Sequence, residues 1–400
     1  MQVSNRLAKV NPSATLAMSQ KTNELKAAGA DVINLTMGQP DFETPKFIEQ
    51  AAIDSINAGQ ASFYTQATGL PELRAAISGN IERRTGYHYD TNQIIATDGA
   101  KFALYCLFNA ILNPGDGVII PTPGWVSYVE QVRLAGGVPQ AAPASNGFKV
   151  TVDDLDQVVN QHTKALIINS PQNPSGTIYS RQELTLIGNW ALRHDVMIVS
   201  DEIYSDLTYN GEDAPSMLSL DPTISANTIL IGGVSKSYAM TGWRIGYAAA
   251  PIAVAKAMAT ICSHATGNPA AVSQYGAIAA FNSDGSSTET MRLAFEDRLN
   301  TIYPLFNQIP GFKLEEKPTG AFYLFINVKD AVTNLGYDSA DAFAMDLLEK
   351  TGVAVVPGRS FGNPNYIRIS YAAAKDSLLE AANRIADFVT GSSTPHTAND

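Results

Sequence analysis

The residues best suited to chemistry are a lysine and an arginine set among small residues. Lys236 stands in the sequence Gly-Gly-Val-Ser-Lys-Ser at 232–237, directly after an apolar run that predicts a buried strand. An ammonium group is costly to desolvate there, so its pKa can fall and the amine can attack a carbonyl. Arg244 follows eight residues later, and Ser235, Lys236 and Arg244 could converge on one phosphate and one aldehyde. A surface lysine on a loop is the alternative interpretation.

Further residues that could bind a ligand follow other predicted strands, at the edge where parallel α/β sheets bind ligands. Gly99 and Ala100 join a strand to a helix whose first N–H groups suit a phosphate. Trp125 follows the next strand, either as core or as a stacking platform. Asp201 ends the most apolar strand and needs a cationic partner. Arg368 lies in an alternating strand: pointing inward it would fit a carboxylate, although an outward arginine on an edge strand is commoner.

One long motif resembles a known family. The sequence Ser-Lys-Ser-Tyr-Ala-Met-Thr-Gly-Trp-Arg-Ile-Gly-Tyr at 235–247 is similar to the pyridoxal-phosphate lysine motif of class I aminotransferases of fold type I, especially their bacterial aspartate aminotransferase-like branch. The likeness extends from Pro-Ser-Ala-Thr at 12–15 to the last predicted helix. It implies a transaminase with pyridoxal 5'-phosphate, Lys236 as its Schiff-base lysine and proton carrier, and Arg244 as a phosphate ligand. Amino groups would move between an amino acid and a 2-oxo acid by ping-pong kinetics.

The resemblance also assigns the other cofactor contacts. Trp125 would stack on the pyridine ring, Asp201 would keep the ring nitrogen protonated, and Asn173 and Tyr204 would bind the ring hydroxyl. Tyr64 resembles the tyrosine that reaches the neighbouring subunit's phosphate, which implies a homodimer with shared sites. The predicted cofactor-binding residues are Gly99, Ala100, Lys101, Trp125, Asn173, Asp201, Tyr204, Ser235, Lys236, Arg244 and Tyr64.

For the substrate, the resemblance implies that Arg368 and Asn173 bind the α-carboxylate. Lys101 and Thr15 match positions associated with the second carboxylate of dicarboxylic substrates, which favours aspartate or glutamate with 2-oxoglutarate. Aromatic amino acids are a competing substrate class, and Lys101 could instead be a surface residue at a helix N-terminus. The predicted substrate-binding residues are Gly38, Trp125, Asn173, Arg368, Lys101 and Thr15.

Three other functions compete with transamination. A C–S β-lyase would use the same cofactor and a similar lysine motif. A non-catalytic ligand-sensing module would need a fused DNA-binding segment, and the first 30 residues are too short and not basic enough for one. A nicotinamide dehydrogenase would need a complete Gly-x-Gly-x-x-Gly, which the sequence lacks.

The elements that must position these residues alternate along the chain. Apolar runs predict strands at 94–97, 117–121, 165–169, 196–200, 228–232 and 244–248, and intervening patterns predict helices at 102–112, 126–135 and 184–194. Continuous apolar strands between helices predict an α/β fold whose mostly parallel sheet is covered by helices on both faces; the resemblance implies seven strands. A helix at 291–308, strands at 321–328 and 366–370, and a helix at 375–388 predict a smaller α+β domain.

The expected domain organisation has four segments. Residues 1–45 join the small domain, 46–290 form the large cofactor-binding domain, 291–390 form the small C-terminal domain, and 391–400 are a flexible tail.

Composition excludes several other classes. The 400 residues carry 27 Lys and Arg against 38 Asp and Glu, a net charge of −11 without a basic run, so nucleic-acid binding is not expected. The two cysteines and five histidines match no disulfide or metal spacing. No apolar window is long enough for a membrane span or a signal peptide, so we expect a cytoplasmic protein that binds small molecules.

Overall fold

The computed structural model describes residues 4–11 and 14–391, without the side chains of residues 5, 6, 14–17 and 19. Residues 392–400 of the predicted tail and the side chain of Thr15 therefore lie outside the described part.

Strands and helices alternate through the first two thirds of the chain. The strands are β1 Ile33–Asn34, β2 Ile94–Thr97, β3 Gly117–Thr122, β4 Val138–Pro143, β5 Thr163–Asn169, β6 Met197–Asp201, β7 Thr228–Gly233, β8 Gly246–Ala249, β9 Tyr323–Asn327, β10 Val353–Ala354, β11 Val356–Pro357 and β12 Tyr366–Ser370. The helices are α1 Ala14–Ala27, α2 Lys46–Asn57, α3 Pro71–Thr85, α4 Ala100–Ile111, α5 Ser127–Leu134, α6 Val152–Asp156, α7 Arg181–Arg193, α8 Pro222–Ala226, α9 Ile252–Ala265, α10 Ala271–Phe281, α11 Ser286–Asn307, α12 Lys329–Asn334, α13 Ala340–Thr351 and α14 Lys375–Thr390.

A seven-stranded sheet in the order β2-β8-β7-β6-β5-β3-β4 forms the centre of the larger part. The strands β7, β6, β5, β3 and β4 pair in parallel, whereas β8 runs antiparallel to both of its neighbours. Successive side chains of each strand enter cores on opposite faces: Ile167 packs with α4 and α9, whereas Leu166 and Ile168 pack on the α7 side. This two-sided burial explains why the inner strands are largely apolar.

The start of α4 packs very closely against β8. A side chain at Gly246 would collide with the backbone N–H of Ala100, so this position has room only for glycine. Gly99, which precedes α4, has φ of 89°, a conformation that glycine adopts without strain. The first N–H groups of α4 therefore lie at the edge where β2 ends.

A second core lies beside the sheet and is built mainly from the C-terminal part. Side chains between Met291 and Phe388 pack there with Leu35 from the N-terminal segment and with Tyr204. The antiparallel sheet β11-β12-β9 pairs Arg368 with Phe325, and β1 pairs in parallel with β10. The N-terminal segment is thus joined to the C-terminal part by a shared sheet and a shared core.

The structure confirms the predicted α/β class and the mostly parallel seven-stranded sheet. Two of the differences from the prediction concern the large sheet. The strand predicted at 244–248 begins at Gly246, because Arg244 adopts a left-handed conformation with φ of 57° after a 3-10 turn. The strand β4 was not predicted, because Val-Pro-Gln-Ala-Ala-Pro at the sheet edge is half-exposed and lacks an apolar run. In the described part of the chain, no helix is long and apolar enough to cross a membrane.

Candidate active site

A cavity of about 460 Å³ lies at the carboxyl ends of the central strands. Its lining includes most of the predicted site residues: Gly38, Ala100, Lys101, Trp125, Asn173, Asp201, Tyr204, Ser235, Lys236, Arg244 and Arg368. Gly99 lies directly beneath the guanidinium of Arg244, where a side chain would collide with it. Tyr64 lies away from the cavity and is 97% exposed.

Lys236 projects from the loop after β7 into this cavity. Its Nζ donates a hydrogen bond to the carbonyl of Gly38 and lies 5.9 Å from the ring centroids of Tyr204 and Phe322. Burial, together with the positive charges of Arg368 and other cations of the cavity, lowers the pKa of Lys236 to about 7. The amine is therefore poised between its charged and neutral forms near neutral pH.

Asp201 is the acidic residue among these cations. It ends β6, is buried, and accepts hydrogen bonds from Tyr128 Oη at 2.6 Å and from the backbone N–H of Ile203 at 3.3 Å. Burial raises the pKa of Asp201 to about 6, and these hydrogen bonds and Lys236 oppose the rise. A cationic ligand group beside Asp201 would stabilise its ionised form.

Arg368 reaches the cavity from β12, on the C-terminal side. The side chain is buried, with Nη1 donating to Asn173 Oδ1 at 3.0 Å and Nη2 donating to the carbonyl of Thr36 at 2.8 Å. Its Nε is buried and has no hydrogen-bond partner among the residues that the structure describes. The guanidinium lies 4.5 Å from the ring centroid of Tyr323. Burial lowers the pKa of Arg368. The planar cation is held in place yet carries no carboxylate partner in the described part of the chain.

Arg244 and Lys101 add positive charge at the β2 and β8 side. Arg244 Nη1 donates to the carbonyl of Thr241 at 3.0 Å and Nη2 to that of Asp98 at 3.1 Å. Lys101 Nζ lies 5.0 Å from the ring centroid of Trp125, and partial burial lowers the pKa of Lys101. Among the described residues, neither cation forms an ion pair with a carboxylate. A dianion such as phosphate would complement this end of the cavity.

The ends of β5 and β6 are joined by side-chain hydrogen bonds. Asn169 Nδ2 donates to the carbonyl of Asp201 at 2.9 Å, and Asn169 Oδ1 accepts from the N–H of Asn173 at 2.9 Å. This chain of bonds fixes Asn173 beside Arg368. An arginine and an amide, both of them groups able to bind a carboxylate, thus lie side by side on different elements.

Comparison with known proteins agrees with this geometry. The family model for aminotransferase class I and II matches residues 30–385. The chain belongs to this family. It is 49% identical over 390 residues to the asparagine--oxo-acid transaminase of Streptococcus mutans, covering 97% of this chain and 99% of that protein. It is 50% identical over 391 residues to the aspartate aminotransferase of Geobacillus stearothermophilus, with the same coverage.

Solved structures of related enzymes have the same fold. The aspartate aminotransferase of Thermus thermophilus with maleate superimposes with a TM-score of 0.89 at 37% identity, covering 96% of this chain and 99% of that chain. The enzyme from Rhizobium meliloti gives 0.92 at 36% identity, with coverages of 98% and 99%. The predicted pyridoxal-phosphate-dependent transaminase of the aspartate aminotransferase type is therefore confirmed. The dehydrogenase and the non-catalytic sensing module were the wrong alternatives.

The cavity of this aminotransferase fits pyridoxal phosphate. The buried carboxyl of Asp201 suits a protonated pyridine nitrogen, and Lys236 offers an amine that can be neutral near pH 7. The glycine at position 99 and the guanidinium of Arg244, which forms no ion pair with any described carboxylate, leave a cradle for the phosphate. The aromatic ring of Trp125 is half-exposed on the cavity wall.

Several lining residues of this aminotransferase escaped the sequence analysis. Tyr128 donates to Asp201, and its position three residues after Trp125, at the start of α5, is a signal that could have revealed it. Tyr323 lies in an aromatic run on β9, where nothing local distinguishes it from the core residues beside it. Asn169 and Thr36 likewise reach the site only through long-range contacts.

The lowered pKa of Lys236 gives a prediction for the protein without cofactor. Competitive acetylation with acetic anhydride between pH 5 and pH 11, read by peptide mass spectrometry, should show half-maximal reactivity of Lys236 near pH 7, because the neutral amine is the reactive form. An unperturbed lysine reaches that point near pH 10.4. Lys46, whose pKa is raised by its hydrogen bond to Glu49, is the internal comparison. Half-maximal reactivity of Lys236 above pH 9 would contradict the electrostatic description of the site.

Proposed function

We propose that this aminotransferase moves the amino group between aspartate or glutamate and a 2-oxo acid such as 2-oxoglutarate, with ping-pong kinetics. The observation that carries the proposal is the pair of cations Arg368 and Lys101, which belong to different elements, line one cavity and pair with no carboxylate in the described part of the chain. A dicarboxylic substrate supplies one carboxylate for each. The name of the Geobacillus stearothermophilus relative, aspartate aminotransferase, agrees with a dicarboxylic substrate. Asparagine, for which the Streptococcus mutans relative is named, has an amide in place of the second carboxylate.

The cofactor-holding roles follow from the position of each group. Asp201 would face the ring nitrogen, held in place by Tyr128 and by the N–H of Ile203. Trp125 would cover one ring face. The remaining proposed contacts are Asn173 and Tyr204 at the ring hydroxyl, and Gly99, Ala100, Ser235 and Arg244 at the phosphate. Bound pyridoxal phosphate supplies an electron sink for the substrate Cα.

Lys236 would carry the cofactor covalently and then act as the proton carrier. In the cavity without ligands the pKa of Lys236 is about 7, so the amine can gain and lose a proton near neutral pH, as a proton carrier at the substrate's Cα must. The carbonyl of Gly38, which accepts a hydrogen bond from Nζ, and the nearby rings of Tyr204 and Phe322 limit where the amine can move. The same amine can therefore serve as base and then as acid without leaving the cavity.

The α-carboxylate of the substrate would bind Arg368 and Asn173. Both arginine Nη atoms are already held by Asn173 and Thr36, so the fork is oriented before the substrate arrives. Lys101 would bind the second carboxylate. The proposed partner hydroxyl, that of Thr15, lies outside the described side chains.

Substrate preference tests the role of Lys101. The substitution Lys101→Ser should lower kcat/KM for aspartate by about 10- to 100-fold, since a hydrogen bond to a charged group is worth roughly 1.5–3 kcal/mol. The value for phenylalanine, which has no second carboxylate, should stay within about threefold by the same reasoning. A coupled spectrophotometric assay with 2-oxoglutarate measures both.

The matched control is Lys164→Ser, because Lys164 on β5 is exposed. This substitution should change neither kcat/KM value. Equal losses for aspartate and phenylalanine would refute the assignment of Lys101. Release of ammonia and pyruvate from cystathionine, without amino transfer, would instead support the C–S β-lyase alternative.

The proposed homodimer is supported by an apolar surface around Tyr64. Phe63 and Tyr64 are 76% and 97% exposed, and Phe47, Ile53 and Ile56 on α2 are also exposed. Where exposed apolar side chains form one patch, they mark an interaction surface in soluble proteins. A second copy of the chain would cover them and allow Tyr64 to reach the neighbour's phosphate site.

The oligomeric state gives a direct test of this surface. Wild-type protein should sediment as a dimer, and Phe63→Asp should sediment mainly as a monomer with at least tenfold lower activity, because a charge would be buried in the interface. Leu186→Asp is the matched control, since Leu186 on α7 is 54% exposed on another face. A wild-type monomer with full activity would overturn the shared-site proposal.

The proposed domain division and location rest on separate features. The cores on both sides of the large sheet draw on residues 48–281. The other core is built mainly from Leu35 and residues 291–388, joined by Tyr204, Leu207 and Tyr209 after β6, which supports a large domain at 46–290 and a small one built from 1–45 and 291–390. Cys106 and Cys262 are both free thiols, which suits the cytoplasm proposed as the location.

A further inference from the structure

Tyr323 touches two parts of the site that have separate tasks. Its Oη lies 2.8 Å from Oη of Tyr204, and its ring centroid lies 4.5 Å from the guanidinium carbon of Arg368. The side chain is fully buried, yet it lines the cavity. Tyr204 follows β6 in the large sheet, whereas Tyr323 and Arg368 lie on adjacent strands of the small sheet. One aromatic residue therefore joins groups from both parts of the chain.

The hydroxyl–hydroxyl bond can run in either direction, since each oxygen can donate or accept. An anionic acceptor in the cavity would take the hydrogen of Tyr204, because a hydrogen bond to a charged oxygen is stronger than one to a neutral hydroxyl. Tyr323 must then be the donor to Tyr204. The charged groups that face this pair are Arg368, Asp201 and Lys236.

The ring of Tyr323 packs against the guanidinium of Arg368. The guanidinium of Arg368 packs over this ring and over Phe361, whose centroid is 5.0 Å away. Cation–π contacts of this kind are stronger for desolvated cations, and Arg368 is buried. The space between Tyr323 and the backbone at Gly38 is also small, since a side chain at Gly38 would approach Tyr323 Oη to 3.1 Å. The tyrosine is thus held firmly from several sides.

We propose, resting on the function proposed above, that Tyr323 is a positioning residue with two separable parts. Its hydroxyl donates to Tyr204 and directs the hydrogen of Tyr204 toward the ring oxygen of the cofactor. Its ring holds Arg368 in the orientation that receives the substrate carboxylate. The hydroxyl therefore affects the protonation of the cofactor, and the ring affects the affinity for the substrate.

The first readout is the pH titration of the visible absorption band of the cofactor-loaded enzyme. A donor to the ring oxygen favours its anionic form, so losing the donor should raise the midpoint. Tyr204→Phe should raise it by about 1–2 pH units, the equivalent of one hydrogen bond to a charged group. Tyr323→Phe should raise it by roughly 0.2–0.5, since a neighbouring bond strengthens another by about 10–30%. In the double variant, the effect should equal that of Tyr204→Phe alone, because both act through one hydrogen.

The second readout is the affinity of the loaded enzyme for succinate, a dicarboxylate that cannot react. Tyr323→Phe keeps the ring and should bind succinate as the wild type does. Tyr323→Leu loses the ring and should bind it about 3- to 30-fold more weakly, in line with a cation–π contact of a buried cation. Tyr371→Phe is the matched control: it removes a buried hydroxyl from the same core, away from the cavity, and should change neither readout.

The outcomes separate the two proposals. A wild-type protein that takes up no cofactor and develops no visible band would overturn the proposed function. A loaded wild type with the same titration midpoint as Tyr323→Phe, or additive effects of Tyr204→Phe and Tyr323→Phe, would overturn the role of the Tyr323 hydroxyl alone. If Tyr323→Leu does not fold, the titration of Tyr323→Phe still decides the role of the hydroxyl.

Discussion

Positive charge without matching carboxylates is the constraint on which this active site depends. Lys101, Lys236, Arg244 and Arg368 line one cavity, and Asp201 is the buried acid among them. Like charges in a partly desolvated space repel one another, and this repulsion, added to burial, lowers the pKa of Lys236 to about 7. An anionic cofactor and an anionic substrate relieve the repulsion. In the proposed function, the same interaction therefore prepares the Lys236 amine and favours anionic ligands.

The fold makes this arrangement possible by drawing each cation from a different element. Lys101 lies in the first turn of α4 after β2, Lys236 follows β7, and Arg244 precedes β8. Arg368 comes from β12 in the separate small sheet. Parallel strands place their carboxyl ends at one edge, so residues far apart in sequence meet there. No single helix or strand has to carry several unpaired charges, which would destabilise it locally.

The fold and much of the candidate site could be predicted because their signals are local. Continuous apolar runs predicted six strands of the large sheet, and the polar residues that follow them, such as Asp201 and Lys236, were visible as exceptions. The half-exposed edge strand β4 has no apolar run and was missed. Tyr128 and Tyr323 were missed for another reason: their partners, Asp201 and Tyr204, are 73 and 119 residues away in the chain. Only the three-dimensional structure brings such pairs together.

The central claim is that the amine of Lys236 binds the aldehyde of pyridoxal phosphate covalently. Reduction of the loaded protein with borohydride, followed by proteolysis and mass spectrometry, tests this directly. The structure predicts a single stable adduct on the peptide that contains Lys236, because this is the lysine that the cavity holds with a pKa near 7. An adduct on Lys101 or on a surface lysine, with none on Lys236, would contradict the account.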